Sequence, residues 1–235
     1  MKRQVPFGTC RSFSGGDIIM AKKQIALTFD DGPNTTVTPK VLDLLEQYNI
    51  KASFFLIGQN VNEESKKVAR RAVEMGCELC NHTFTHPSMP KLTREQMEEE
   101  VAKTDRILEE LTGKPSIFFR PPYIDVCPEM FEIIPKIFIC GVGCFDWEPF
   151  RTAEFRAETM LKEAKDGVLY LLHDMDGNVN TVEALKTVIP ALLEQDYEFL
   201  TVTELFASKQ PKFDPERGYE KIPQVVFSNI LTDYQ

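Results

Sequence analysis

The chain has 235 residues, 43% of them hydrophobic and 27% charged, a balance that supports a buried core in one large domain or two small ones. Its net charge of −9 argues against a nucleic-acid partner and gives no reason for adhesion to an anionic membrane. No stretch is long and apolar enough to cross a bilayer, and no protein partner is evident.

Residues 1–22 read as an N-terminal extension. The basic start Met1-Lys2-Arg3 is followed by no apolar run through residue 20, so no export signal is expected and Met20 is a candidate start. That pattern predicts a cytoplasmic location and leaves an extracellular one open. A single domain is expected over residues 23–207, where strand-like and helix-like segments alternate. Strands are predicted at 24–29, 51–57, 78–81, 116–119, 136–141, 168–172 and 198–202. Helices are predicted at 37–48, 62–75, 93–111, after Pro128, at 152–165 and at 181–195, the last carrying an internal Pro190. Thr93-Arg94-Glu95-Gln96 opens its helix as a capping box. Residues 208–235 lack a clear period and read as a C-terminal tail. Seven βα repeats fit a distorted (β/α)7-type barrel, an α/β fold in one domain, with an open doubly wound sheet as the alternative.

Polar clusters fall at the ends of these strands: Asp30-Asp31, His82-Thr83-Phe84-Thr85-His86, Arg120-Pro121-Pro122-Tyr123, Asp146-Trp147 and His173-Asp174. In a parallel barrel the C-terminal strand ends share one mouth, so the five clusters are expected to converge there. The chain has only three histidines, and all lie in these clusters. Two imidazoles four residues apart plus one carboxylate form a divalent-metal site that keeps a position open for water. Such an ion acidifies water and polarises a carbonyl, and of two adjacent aspartates it takes one as ligand and leaves the other as base. Arg120 suits an orienting partner for a carboxylate, and Trp147 an apolar wall. The six cysteines are expected to be reduced. Cys77 and Cys80 resemble a zinc pair, but in a strand, side chains three apart face opposite ways, so they are read as apolar fillers.

These motifs resemble those of the polysaccharide deacetylase family, the NodB-homology domains of carbohydrate esterase family four: Thr28-Phe29-Asp30-Asp31-Gly32-Pro33, His82 to His86, Arg120 to Tyr123, Asp146-Trp147 and Leu171-Leu172-His173. The resemblance covers roughly residues 24–206. It implies one zinc-like ion, with cobalt or nickel as substitutes, on Asp31, His82 and His86. It also implies Asp30 as base, His173 as acid and the Tyr123 backbone N–H as oxyanion donor, with Pro121 and Trp147 lining the substrate. Arg120 would hold Asp30, and Asp146 would support either Arg120 or His173.

The expected activity is removal of N-acetyl groups from an amino-sugar polymer or oligomer, chitin-like or peptidoglycan-like. The alternatives are O-acetyl ester hydrolysis on xylan and an inactive carbohydrate-binding barrel. Three departures from the family pattern stand out. Gly143 takes the place of an acidic residue three before Asp-Trp, Ile124 that of a glycine after the tyrosine, and Cys77 and Cys80 those of His and Gly.

Overall fold

The computed structural model describes residues 22–209 together with Val225 and Val226. The apolar runs become strands β1 (Lys23–Asp30), β2 (Ser53–Leu56), β3 (Glu78–Asn81), β4 (Phe118–Phe119) and β5 (Ile137–Ile139). Strands β6 (Val142–Gly143), β7 (Leu169–His173), β8 (Tyr197–Phe199) and β9 (Val225–Val226) follow. The helices are α1 (Thr38–Gln47), α2 (Glu63–Glu74), α3 (Arg94–Thr112), α4 (Pro128–Ile133), α5 (Ala153–Lys162), α6 (Val179–Leu193) and α7 (Val202–Lys209). The capping box of Thr93 and Gln96 forms as expected, and α6 runs through Pro190. No helix among the described residues is long and apolar enough to cross a membrane.

Every strand pair is parallel, in the order β6-β7-β1-β2-β3-β4-β5-β9, with β8 beside the start of β1. Beyond β1 the order continues with β7 and then β6, the cyclic order of a barrel rather than the reversal of a doubly wound sheet. The sheet is a curled, single-domain (β/α)7-type barrel, as the sequence predicts. Parallel strands are covered on both faces, which is why β2 is buried at all four positions.

Alternation along each strand sorts the side chains. Ile25, Leu27, Phe29, Phe54 and Leu79 face the large core under the helices, whereas Ala26, Phe55, Cys80, Phe118 and Leu169 pack inside the curl. Val202 and Leu205 of α7 plug that inner cluster. Cys77 and Cys80 fall in different clusters, so they cannot chelate one ion, and the five described cysteines are free.

Two strand predictions need correction. The predicted strand 198–202 is β8, which stops at Phe199, and Val202 begins α7. Thr201 and Glu204 form a reciprocal capping box there: the Glu204 carboxylate accepts from the Thr201 N–H, and Thr201 Oγ1 accepts from the Glu204 N–H. α7 therefore reaches Lys209, across the boundary expected at 207/208, and most of the expected tail lies outside the described residues. The predicted strand 136–141 shortens to β5, which pairs with β4, and an unpredicted strand β6 follows it at Val142–Gly143 and pairs with β7, so the chain itself spans the barrel's last gap.

Candidate active site

Strand register builds the site's centre. β1 and β7 pair with Asp30 opposite His173 and Thr28 opposite Leu171, so Asp30 and His173 sit side by side at the C-terminal end. Both ionisable groups are held from behind. Arg120, fully buried, donates through Nη1 to Asp30 Oδ1 and lies 4.1 Å over the Phe55 ring. Its Nη2 reaches the Cys140 carbonyl at 3.2 Å, so one guanidinium fixes the carboxylate and the β5–β6 seam together. Asp146, also fully buried, accepts from His173 Nδ1 at 2.8 Å and from the His173 backbone N–H at 2.7 Å. Of the two roles open to Asp146 in the sequence, the structure places it on His173.

The next residue, Asp31, leaves the strand with φ +75°, in the left-handed region. Gly32 lets this loop lie flat on Asp174, since a Cβ there would meet Asp174 Oδ2 at 2.5 Å. Asp31 Oδ1 thereby comes to 3.5 Å from His82 Nε2 and 3.4 Å from His86 Nε2. His82 and His86 lie in a loop rather than on a helical turn, with Thr83 and His86 at positive φ. His82 Nδ1 donates to the Arg120 carbonyl at 2.6 Å, which leaves its Nε2 lone pair facing Asp31.

These three residues fit a divalent ion. Their ligand atoms lie within 4.8 Å of one another, and Asp31 Oδ1 is buried without a hydrogen-bond partner. An unpaired carboxylate oxygen between two imidazole nitrogens lacks only a cation, and an oxygen–nitrogen–nitrogen donor set suits zinc-like metals.

Titration follows from the same geometry. Burial pulls the His173 imidazolium down, but the Asp146 hydrogen bond and charge, with Asp30 and Asp31, outweigh it and raise His173 to about 9. Burial pushes Asp31 up, yet the nearby imidazoles of His82, His173 and His86 hold it below its ordinary value. Asp174 goes the other way, pushed to about 7 by burial first and the charges of Asp31 and Asp30 after it.

The mouth is a cleft of about 570 Å³ lined by Asp30, Asp31, both loop histidines and His173, with Pro121, Tyr123 and Trp147 on its walls. Ile124 lines it at φ +52°, a conformation that a β-branched residue rarely adopts and glycine adopts freely. Gly143 also lines it, and a Cβ there would meet the Trp147 ring at 3.1 Å, so the missing side chain makes room for the indole. Six of the eight positive-φ non-glycine residues (Asp31, Thr83, His86, Tyr123, Ile124 and Phe145) belong to these loops, which puts the described backbone's strain at the mouth. Sequence reasoning missed Arg156, Asn178 and Thr181 behind Asp146, because no local pattern marks residues that meet only through helix packing.

A parallel barrel with carboxylates and imidazoles gathered at its mouth is an architecture of metal-dependent hydrolases. Residues 18–136 match the profile of the polysaccharide deacetylase family, and the chain belongs to that family. It is 47% identical over 188 residues to a bifunctional xylanase/deacetylase of Pseudobutyrivibrio xylanivorans, covering 80% of this chain and 31% of that protein. It is 36% identical over 188 residues to the peptidoglycan-N-acetylglucosamine deacetylase PgdA of Listeria monocytogenes, covering 80% and 40%. The chain therefore spans well under half the length of either relative. The solved family 4 acetyl xylan esterase of Clostridium thermocellum, in complex with a cobalt ion, superposes with a TM-score of 0.80 at 37% identity, covering 88% and 98%.

Proposed function

We propose that this domain hydrolyses N-acetyl groups on amino-sugar chains. The observation that carries the reading is the pairing of a restrained carboxylate with a restrained, proton-holding imidazole beside the Asp31, His82 and His86 cluster. A divalent ion on that cluster, zinc best with cobalt or nickel as substitutes, supplies a Lewis acid that acidifies water and polarises the acetyl carbonyl.

The chain's own groups do the rest. Arg120 holds Asp30 through Oδ1, and Oδ2, on the side of His82, takes the proton of the attacking water. His173 keeps Nδ1 on Asp146 and delivers a proton from Nε2 to the leaving nitrogen. An amine leaves only when protonated, so an acid that stays charged to about pH 9 suits an amide substrate. The Tyr123 backbone N–H is the donor assigned to the oxyanion, and Pro121, Trp147 and Leu171 wall the acetyl group. Phe145, 43% exposed, extends the apolar surface of Trp147 outward and offers a flat face to a further sugar ring.

O-acetyl ester hydrolysis on xylan is the second reading. It is favoured by the 47% identity to a xylanase/deacetylase and by the likeness to an acetyl xylan esterase. Acetate release from chitooligosaccharide and from acetylxylan, each with and without chelator, decides. Chelator-sensitive release from the first supports the proposal. Release from the second alone selects the ester reading, and chelator-insensitive turnover or binding without release refutes both.

A further inference from the structure

Arg156 is 1% exposed, yet among the described residues it forms no ion pair. Its hydrogen bonds all go to neutral oxygens: Nη1 to Asn178 Oδ1 and to Thr181 Oγ1 at 2.8 Å, and Nη2 to the Glu148 carbonyl at 3.2 Å. A buried guanidinium without a carboxylate is costly, so its position calls for a reason. The reason lies one residue further in. Thr181 Oγ1 donates to Asp146 Oδ2 at 3.0 Å, and Asn178 Nδ2 reaches the same oxygen at 3.4 Å and the His173 carbonyl at 2.8 Å.

The direction of every proton in this chain is forced. A guanidinium has no acceptor, so both groups that face it must present oxygen. Thr181 has one hydroxyl proton and, accepting from Arg156, must aim it at Asp146. Asn178, with its amide oxygen on Arg156, must turn its NH2 toward Asp146 and His173. Both donors thus land on Oδ2, where the His173 backbone N–H also arrives, and Oδ1 is kept for the His173 ring.

We propose that Arg156 is a positioning residue for the acid: by polarising Thr181 and Asn178 it fixes the Asp146 carboxylate, and through it the tautomer and orientation of His173. It serves as the counter-charge of Asp146 at one remove. The ionisable neighbours of this path are few. Asp146, Asp30 and Asp31 face His173, while Asp146 and Cys144 face Arg156. The proposal rests on the reading of His173 as acid for its kinetic arm only.

The test uses the full chain, whose three histidines make imidazole spectra simple to assign. Proton–nitrogen NMR follows the His173 Nδ1 proton in wild type, Arg156→Met, Thr181→Val and Thr181→Ser, alongside kcat and KM for acetate release. Near-UV circular dichroism checks the fold of each. In the folded Arg156→Met and Thr181→Val variants, Nδ1 proton exchange should quicken by about tenfold or more, the scale on which outer-shell partners act. kcat should fall with KM held, and Thr181→Ser, which keeps the hydroxyl, should restore both. Unchanged Nδ1 exchange in either folded variant, or Thr181→Ser behaving as Thr181→Val, overturns the proposal. If Arg156→Met does not fold, the Thr181 pair decides. If wild type releases no acetate, the proposed activity fails while the NMR arm still judges the positioning role.

Discussion

His173 carries its proton further into alkali than a free imidazole, and the consequence for activity has a definite sign. Its pKa is raised from 6.5 to about 9, so the acid form persists through neutrality and is lost as pH climbs past that value. Activity should therefore fall along an alkaline limb. The limb should lie at or somewhat below 9 when a bound cation cancels the attraction of Asp31. Asp146→Asn removes the partner that raises the pKa, so the limb should move toward 6.5 in a pH–rate profile; an unmoved limb would assign the acid elsewhere. A neighbouring position tests the cleft wall. Gly143→Ala puts a Cβ 3.1 Å from the Trp147 ring, and the displaced indole should raise KM by roughly fivefold, about 1 kcal/mol of lost packing. The ionisable residues at this scale were legible in the sequence because rare residue types, three histidines above all, fell at strand ends. Arg156, Asn178 and Thr181 were not, since nothing local distinguishes them from surface positions of α5, of α6 and of the turn before it.

At the scale of elements, the strands and long helices were legible where period and punctuation agreed. Helix α3 begins at its capping box, as its sequence predicts, and ends at Gly113, with φ +77°. The misreadings came where short β-rich runs met a turn. Leu200, Thr201 and Val202 carry strand propensity, but the Thr201–Glu204 box outweighs it and starts α7. Thr201→Ala should cost about 1 kcal/mol in a urea titration, the usual value of an N-cap. An unchanged midpoint would mean that the packing of Val202 and Leu205 alone sets the helix start. The division between β5 and β6 was illegible for a different reason. Val142–Gly143 is too short to show a period, and the turn at Cys140-Gly141 is set by the need to bridge the barrel's seam, where Arg120 meets the Cys140 carbonyl.

For the whole molecule, barrel and site are one construction. Arg120 stitches the β5–β6 seam and restrains Asp30 with the same group, so the last closure of the barrel and the aim of the carboxylate form together. The mouth also gathers Asp30 and Asp31 against imidazoles, with Asp31 Oδ1 unpaired, in a chain of net charge −9. A divalent cation that binds only the folded form should raise stability by about 4 kcal/mol at a thousandfold excess over its dissociation constant. Zinc added to chelator-treated protein should accordingly raise the melting temperature, and Asp31→Asn should reduce or abolish the rise. A wild-type melting temperature indifferent to zinc would count against the metal assignment. At this scale the βα alternation made a parallel α/β sheet legible and a barrel the expectation, whereas the strand order that separates a barrel from a doubly wound sheet came only with the structure, because periodicity is the same in both.

Trp147 is the chain's only tryptophan, and its ring stands edge-on to His173 with centroids 5.8 Å apart. A protonated imidazole quenches indole emission and a neutral one does so weakly. The protein thus carries its own optical indicator: fluorescence should brighten as His173 loses its proton, with a midpoint that reports the charge of the acid without substrate, label or turnover.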